Sequence, residues 1–126
     1  MSANAISIRI LAVDDHALFR DGIATLLATQ PDMNLVAQAS NGQEAIHLFR
    51  THRPDITLMD LRLPGLSGID TAAAIRREFP EARIIILTSF DSDNDKQRAL
   101  EAGARAFVLK SDPGKLLEAI HQVNAG

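Results

Sequence analysis

The chain has 126 residues, no cysteine and a formal net charge of −3; 46% of its residues are hydrophobic and 23% are charged. This composition indicates one globular domain, residues 1–126, that buries roughly two-thirds of its unfolded surface without disulfides or cysteine-bound zinc. The acidic balance, with five Phe as the only aromatic residues, argues against direct nucleic-acid contact. No apolar run approaches the roughly 18 residues of a membrane span, and the N-terminus lacks a signal-peptide pattern.

Apolar runs of strand length alternate with segments of helix length along the whole chain. The predicted strands cover residues 6–13, 35–39, 55–59, 83–87 and 106–109. The predicted helices cover residues 16–29, 41–51, 69–79, 93–102 and 112–123. Five consecutive βα units with short connections predict an α/β fold, in which helices cover both faces of a doubly wound parallel sheet.

Chemically reactive side chains lie where the predicted strands end. Asp14 and Asp15 follow the first strand, Asp60 the third, Thr88 the fourth and Lys110 the fifth. Ligands of open parallel α/β sheets bind at the carboxyl ends of the strands, so we expect these side chains to converge on one edge. Both acids of the first pair can face that edge only if the chain turns directly after the strand, because neighbouring strand residues point to opposite faces.

Carboxylates gathered at one edge repel each other, at a cost of roughly 3 kcal/mol per pair for a separation of about 5 Å and a dielectric constant of about 20. Lys110 supplies one compensating charge, and a hard divalent cation would supply the rest. Mg²⁺ fits because it takes oxygen ligands. No cluster of His or Cys indicates a softer metal, and His16 is interpreted as a structural or surface residue.

The same edge is suited to phosphoryl transfer. An ionised Asp60 among apolar neighbours is a competent oxygen nucleophile for a phosphoryl group. The cation and Lys110 would neutralise phosphoryl oxygens, and the Thr88 hydroxyl would donate a hydrogen bond to one of them. Positioning and charge stabilisation of this kind are nearly all that phosphoryl transfer requires.

Four segments resemble the receiver domain of two-component response regulators, and the resemblance covers nearly the whole chain. They are VDDH at 13–16, MDLRLPGLSGID at 59–70, ILTSF at 86–90 and GARAFVLK at 103–110. The longer string VDDHALFRDGI at 13–23 resembles NarL/FixJ-type regulators, which carry a LuxR-type helix-turn-helix after the receiver. The resemblance implies a flavodoxin-like sheet with strand order 2-1-3-4-5.

The resemblance also implies a metal site and a phosphoacceptor. Asp60 would accept a phosphoryl group from a sensor histidine kinase or from a small donor. Asp15 and Asp60 would bind Mg²⁺ directly, with Mn²⁺ as a substitute, and Asp14 would bind it mainly through water. The main-chain carbonyl of Arg62 would be a further ligand.

Other residues would read the phosphorylation. Thr88 and Lys110 would contact the phosphoryl group, and Phe107 would be the switch aromatic, which moves inward as Thr88 shifts toward the phosphate. Phe107 lacks the hydroxyl of a tyrosine, so this switch acts by packing alone. Ser111 stands where the family often has a proline with a cis bond after the lysine.

The implied function is a phosphorylation-driven switch rather than an enzyme. The chain would be the N-terminal part of a longer cytoplasmic regulator of transcription, and a tethered DNA-binding domain would respond to phosphorylation of the receiver. The expected partners are a sensor histidine kinase and, on phosphorylation, a second copy of the chain bound through the region 93–121. We expect no contact with a membrane.

Other functions are less consistent with the sequence. A phosphatase with an aspartate nucleophile usually has a second acid two residues later, where this chain has Arg62. A pseudo-receiver normally lacks an acid or the lysine, and a flavin-binding flavodoxin-like module has a Gly/Ser/Thr-rich loop after its first strand. Two hypotheses concern residues near the site: Leu18 would dock the kinase, and Arg62 and Phe90 would set the lifetime of the phosphate by gating water.

Overall fold

The computed structural model of the protein describes residues 7–126; the predicted start of the first strand at Ile6 lies outside them. Five strands and five helices alternate in this part of the chain. The strands are β1 (Ile8–Val13), β2 (Met33–Ala39), β3 (Ile56–Asp60), β4 (Ile84–Thr88) and β5 (Ala106–Leu109). The helices are α1 (Ala17–Ala28), α2 (Gly42–His52), α3 (Gly68–Glu78), α4 (Asp93–Glu101) and α5 (Pro113–Ala125). Among residues 7–126, no helix has both the length and the apolar character of a membrane span.

The strands form one sheet in the order β2-β1-β3-β4-β5, and every neighbouring pair is parallel. The predicted α/β fold and the strand order implied by the resemblance are both confirmed. The order of the strands reverses between β1 and β3, which is where parallel sheets of this kind bind ligands. Val13 pairs with Met59 across these two strands, so the next residues, Asp14 and Asp60, are neighbours at the carboxyl edge.

Helices cover both faces of the sheet because the central strands are apolar on both. Every residue of β3 and β4 is buried. Along β4, Ile85 packs with α1 and α5, whereas Ile84 and Ile86 pack on the opposite face with α2, α3 and α4. A fully buried aliphatic side chain contributes roughly 1.5–3 kcal/mol, so the two layers together hold the strand ends in fixed positions.

The predicted ends of the elements differ from the structure most at two places. β2 begins at Met33 rather than at residue 35, because the Met33 side chain is buried and its backbone pairs with Ile8. α5 continues to Ala125 rather than to 123, and the amide of Gly126 donates to the Gln122 carbonyl at its end. The other predicted ends that the structure describes lie within one residue of the observed ends.

Helix starts are set by local capping. Four helices begin at a residue whose side chain accepts a hydrogen bond from the amide three residues later: Asn41, Ser67, Ser92 and Asp112. α1 differs, because its N-cap residue His16 makes no such bond. α3 begins at Gly68, where a Cβ atom would collide with the main-chain carbonyl of Asp60. Glycine therefore allows α3 to start directly against the end of β3.

Candidate functional site

The two acids after β1 occupy different positions because the chain turns between them. The amide of Asp14 donates to the Ala39 carbonyl at 3.0 Å, so Asp14 extends the sheet, and the residue is only 3% exposed. Asp15 lies in the bend that follows and is exposed. The Arg20 guanidinium donates to the Asp14 carbonyl at 2.5 Å and ties the bend to α1. Because the chain turns here, the carboxylates of Asp14 and Asp15 both reach the same edge of the sheet.

Asp60 is the last residue of β3 and is only 4% exposed. Its Oδ1 atom accepts a hydrogen bond from the Arg62 amide at 3.3 Å. Burial raises the pKa of Asp60, and the negative charge of Asp14 raises it further, while Lys110 and the Arg62 amide act in the opposite direction. The carboxylate of Asp60 is therefore incompletely compensated by the groups of the protein.

Lys110 connects the two buried acids. Its Nζ atom lies 2.6 Å from Asp14 Oδ2 and 3.3 Å from Asp60 Oδ2, and its side chain is 13% exposed. The same ammonium lies 4.4 Å from the centre of the Phe19 ring, a cation–π distance. The Lys110 amide donates to the Thr88 carbonyl at 2.8 Å, which continues the pairing of β4 and β5. Every peptide bond between residues 7 and 126 is trans, including that between Lys110 and Ser111.

Asp14, Asp15, His16 and Asp60 each offer one donor atom, and these atoms all lie within 4.8 Å of one another. Three carboxylates and the one ammonium of Lys110 leave a formal charge of −2 (−3 + 1), which a divalent cation would balance. Oxygen donors from carboxylates are the ligands that Mg²⁺ prefers. The three carboxylates and the raised pKa of Asp60 therefore fit a hard cation.

Thr88 lies at the end of β4, and Phe107 lies within β5. Thr88, the last residue of β4, is buried, and its hydroxyl donates to the Phe90 carbonyl at 3.2 Å and accepts from the Phe90 amide at 3.3 Å. Phe107 pairs with Ile86 in the sheet and is partly buried against the α2–α4 layer. The geometry therefore brings together Asp14, Asp15, Asp60 and Lys110, and leaves the Thr88 hydroxyl bonded to the loop after β4.

The residues of the two surface hypotheses point into solvent. The Arg62 side chain is 75% exposed and lies 3.9 Å from Asp95 of α4. Phe90 and Leu18 are also largely exposed. Their exposure is compatible with a role in gating or docking, and both roles stay predictions.

Sequence reasoning missed three residues of α1 and its start. The sequence predicts that His16 is a structural or surface residue, and its side chain is 68% exposed; the sequence does not show that its Nδ1 atom lies 3.0 Å from Asp14 Oδ1 and 3.3 Å from Asp15 Oδ1. Phe19 was assigned to a helix face only, and Arg20 was assigned no role. The sequence signal for His16 is its place directly after the acid pair, at a predicted helix start where histidine is not among the preferred capping residues.

Comparisons with known proteins identify the family of the chain. A family model described as "Response regulator receiver domain" matches residues 10–121. The chain is 37% identical over 118 residues to the nitrate/nitrite response regulator protein NarL of Escherichia coli, a match that covers 93% of this chain and 55% of NarL. The chain therefore spans a little over half the length of this curated relative.

Solved structures give the same result for the fold. A LuxR-family two-component response regulator from an Aurantimonas species has a TM-score of 0.92 and 41% identity, over 95% of this chain and 86% of that one. The signal receiver domain of NarL from Mycobacterium tuberculosis has a TM-score of 0.92 and 32% identity, over 97% and 99% of the two chains. The likeness thus extends over nearly all of the chain described here.

Proposed function

The chain belongs to the response regulator receiver family and is a receiver domain of the LuxR/NarL type, and from this premise we propose that Asp60 is its phosphoacceptor. One observation carries the proposal: the buried Asp60 carboxylate ends a central strand beside two other acids, with the Lys110 ammonium 3.3 Å away. A buried carboxylate with this degree of crowding is a typical feature of a functional site.

The proposed reaction is a transfer of one phosphoryl group to a carboxylate oxygen. An Asp60 oxygen attacks the phosphorus atom of a phosphohistidine, the P–O bond of an acyl phosphate forms, and the P–N bond breaks. The departing imidazole keeps the electron pair of that bond and takes up a proton from solvent. An ionised Asp60 has no proton to lose, so the chain needs no general base for this step.

Lys110 and the acid cluster have separate parts in this reaction. Before transfer, Lys110 compensates Asp14 and Asp60; during transfer, its ammonium turns from Asp60 to an oxygen of the phosphoryl group. Asp14, Asp15, Asp60 and the Arg62 carbonyl would hold Mg²⁺, with Mn²⁺ as a substitute. When bound, this cation supplies positive charge to the phosphoryl oxygens.

Thr88 is the proposed first element of the switch. Its hydroxyl is free to leave Phe90 at little cost, since a typical neutral hydrogen bond contributes only about 0.5–1.5 kcal/mol net. A hydrogen bond to a charged phosphoryl oxygen is roughly twice as strong, so phosphorylation favours the alternative position. Phe107, partly buried on the neighbouring strand, would then move inward and change the surface between α4 and β5.

The proposal also covers the partners of the chain and the longer regulator to which it would belong. By analogy with the LuxR-family relatives, the phosphoryl group would come from a sensor histidine kinase, and the switch would control a tethered DNA-binding domain and hence transcription in the cytoplasm. We also propose that phosphorylated chains pair through the region 93–121, where Leu100 of α4 is exposed. The domain 1–126 would then be the N-terminal part of a longer protein.

The direct test is phosphorylation by acetyl phosphate in Mg²⁺, read by intact mass. We expect wild type to gain one phosphoryl group and Asp60→Asn to gain none, because the amide is not a nucleophile. Asp21→Asn, a matched change at an exposed position of α1, should retain the gain. Phosphorylation of Asp60→Asn at the wild-type level would refute the assignment.

A further inference from the structure

His16 adds a nitrogen donor to a cluster that is otherwise made of oxygen donors. Its Nδ1 atom lies 3.0 Å from Asp14 Oδ1 and 3.3 Å from Asp15 Oδ1, and it belongs to the group of donor atoms that all lie within 4.8 Å of one another. The side chain is 68% exposed, so an ion and its water ligands could reach it.

The backbone holds the imidazole in this position. His16 is the N-cap residue of α1 with extended torsion angles (φ −95°, ψ 107°), and its side chain makes no capping bond with the helix. Its own amide donates to Asp14 Oδ1 at 2.8 Å, which fixes the residue against the acid. The Arg20 guanidinium bonds the Asp14 carbonyl and braces the same turn from the first turn of α1.

The spacing of the donor atoms matches that of ligands on one ion. Two ligands at roughly 2.1 Å from a cation are about 3.0 Å apart in octahedral geometry and about 3.4 Å apart in tetrahedral geometry. The two distances from His16 Nδ1, 3.0 and 3.3 Å, fall within this range. Hydrogen bonds from His16 to the two acids would have the same lengths, so the experiment below compares metal ligation with hydrogen bonding.

We propose that His16 is a ligand of the cation site and shifts its preference from Mg²⁺ toward Mn²⁺ and Co²⁺. The inference rests on the proposed function, because it uses the same acid cluster. Imidazole suits borderline transition metals, whereas Mg²⁺ gains little from a nitrogen ligand. Affinity for a mixed nitrogen and oxygen site also rises from Mn²⁺ to Co²⁺.

The alternative predicts a different pattern. If His16 only donates hydrogen bonds to Asp14 and Asp15, it competes with every cation for these carboxylates. Its removal would then strengthen the binding of Mg²⁺ and of Co²⁺ alike. The ratio of the two affinities, rather than either affinity alone, therefore distinguishes a ligand from a competitor.

The test is calorimetric titration of the unphosphorylated chain with MgCl₂, MnCl₂ and CoCl₂ at one fixed pH. His16→Gln should weaken Co²⁺ binding about 10-fold or more, with Mn²⁺ affected less and Mg²⁺ changed less than about twofold. His47→Gln, which removes an exposed histidine of α2, should leave all three affinities at the wild-type values. If His16→Gln changes the affinities for all three ions by the same factor, the proposal is overturned.

A spectroscopic measurement gives an independent answer. In Mn²⁺-loaded protein, electron spin echo modulation should detect a coordinated nitrogen in wild type and in His47→Gln, but not in His16→Gln. No nitrogen coupling in wild type would overturn the proposal. If His16→Gln fails to fold, His16→Asn provides the same comparison, since Asn is a preferred N-cap residue.

Failure of this inference and failure of the proposed function are separate outcomes. The cation preference is measured without any phosphoryl donor, and phosphorylation of Asp60 is measured in Mg²⁺ alone. A chain that gains a phosphoryl group but has no nitrogen coupling would retain the proposed function and lose the role of His16. The reverse result would retain the cation site and reject the phosphoacceptor.

Discussion

The carboxyl edge of the sheet carries the buried acids Asp14 and Asp60, whereas the amino edge carries arginines around an open cavity of about 720 Å³. At the amino edge the charged groups bind the backbone: Arg76 donates to the Ala82 carbonyl at 3.2 Å, and Arg83 donates to the Asn124 carbonyl at 2.7 Å. These bonds join loops and helix ends, so the charges of this edge serve the fold.

At the carboxyl edge the charged groups bond the backbone and also face each other. Two buried acids share one ammonium, and the pKa of Asp60 is raised by burial and by Asp14. The protein tolerates this cost because the core layers hold the strand ends together. The comparison indicates that charges stabilise one edge and strain the other, and under the proposed function a divalent cation would relieve that strain.

The largest expected effect concerns the ammonium of the carboxyl edge. Lys110→Met should slow phosphorylation of Asp60 by acetyl phosphate ~100-fold, because the charge that is proposed to contact the phosphoryl group is lost. Arg105→Met, at the amino edge, should leave the rate within about twofold of wild type. Initial rates from intact mass in saturating Mg²⁺ provide the measurement. Equal losses in the two variants would erase the contrast between the edges.

A second prediction concerns stability and has opposite signs at the two edges. In the absence of divalent ions, Asp60→Asn should raise the free energy of unfolding at neutral pH by on the order of 1 kcal/mol, because it removes an incompletely compensated buried charge. Asp55→Ala should lower it by about 1 kcal/mol, since Asp55 accepts a hydrogen bond from the Arg9 amide at 2.8 Å. Urea denaturation measures both.

The pH dependence of the Asp60 effect follows from the direction of the pKa shift. The pKa of Asp60 is higher in the folded chain than its ordinary value. The contribution of the protonated acid to the free energy of unfolding is therefore fully present below the ordinary pKa. This contribution is lost as pH rises through the folded pKa, because the buried carboxyl group then becomes charged. The advantage of Asp60→Asn should therefore vanish in acid and grow toward neutral pH. An advantage that is constant across pH would mean that the charge of Asp60 is not its cause.

The smallest expected effect compares two cation–π contacts. The Lys110 ammonium lies 4.4 Å from the Phe19 ring at the carboxyl edge, and the Arg53 guanidinium lies 4.1 Å from the Phe79 ring at the opposite end. Such contacts contribute about 0.5–1 kcal/mol, so Phe19→Leu should slow phosphorylation roughly two- to fivefold by loosening Lys110. Phe79→Leu should lower the melting temperature and leave the rate unchanged. A slower rate in Phe79→Leu would contradict the proposed positioning.

Much of the architecture was readable from local patterns. Short β-branched runs such as 84–86 predicted the buried strands, and Asp112 with Pro113 predicted the start of α5. The positions of Asp14, Asp60 and Lys110 at strand ends followed from the same patterns. These features depend on neighbouring residues along the chain, and for that reason a single sequence is sufficient to find them. The strand order was obtained through the family resemblance.

The partners of each polar side chain depended on contacts between distant segments. Lys110 lies closer to Asp14 than to Asp60, the Thr88 hydroxyl bonds the Phe90 backbone, and His16 faces the two acids before α1. These distances are set to within about an ångström by the strand register, by the turn after β1 and by the two core layers between the sheet and the helices. Hydrogen bonds and ion pairs are sensitive to differences of that size, whereas a sequence pattern specifies only which residues reach the same edge.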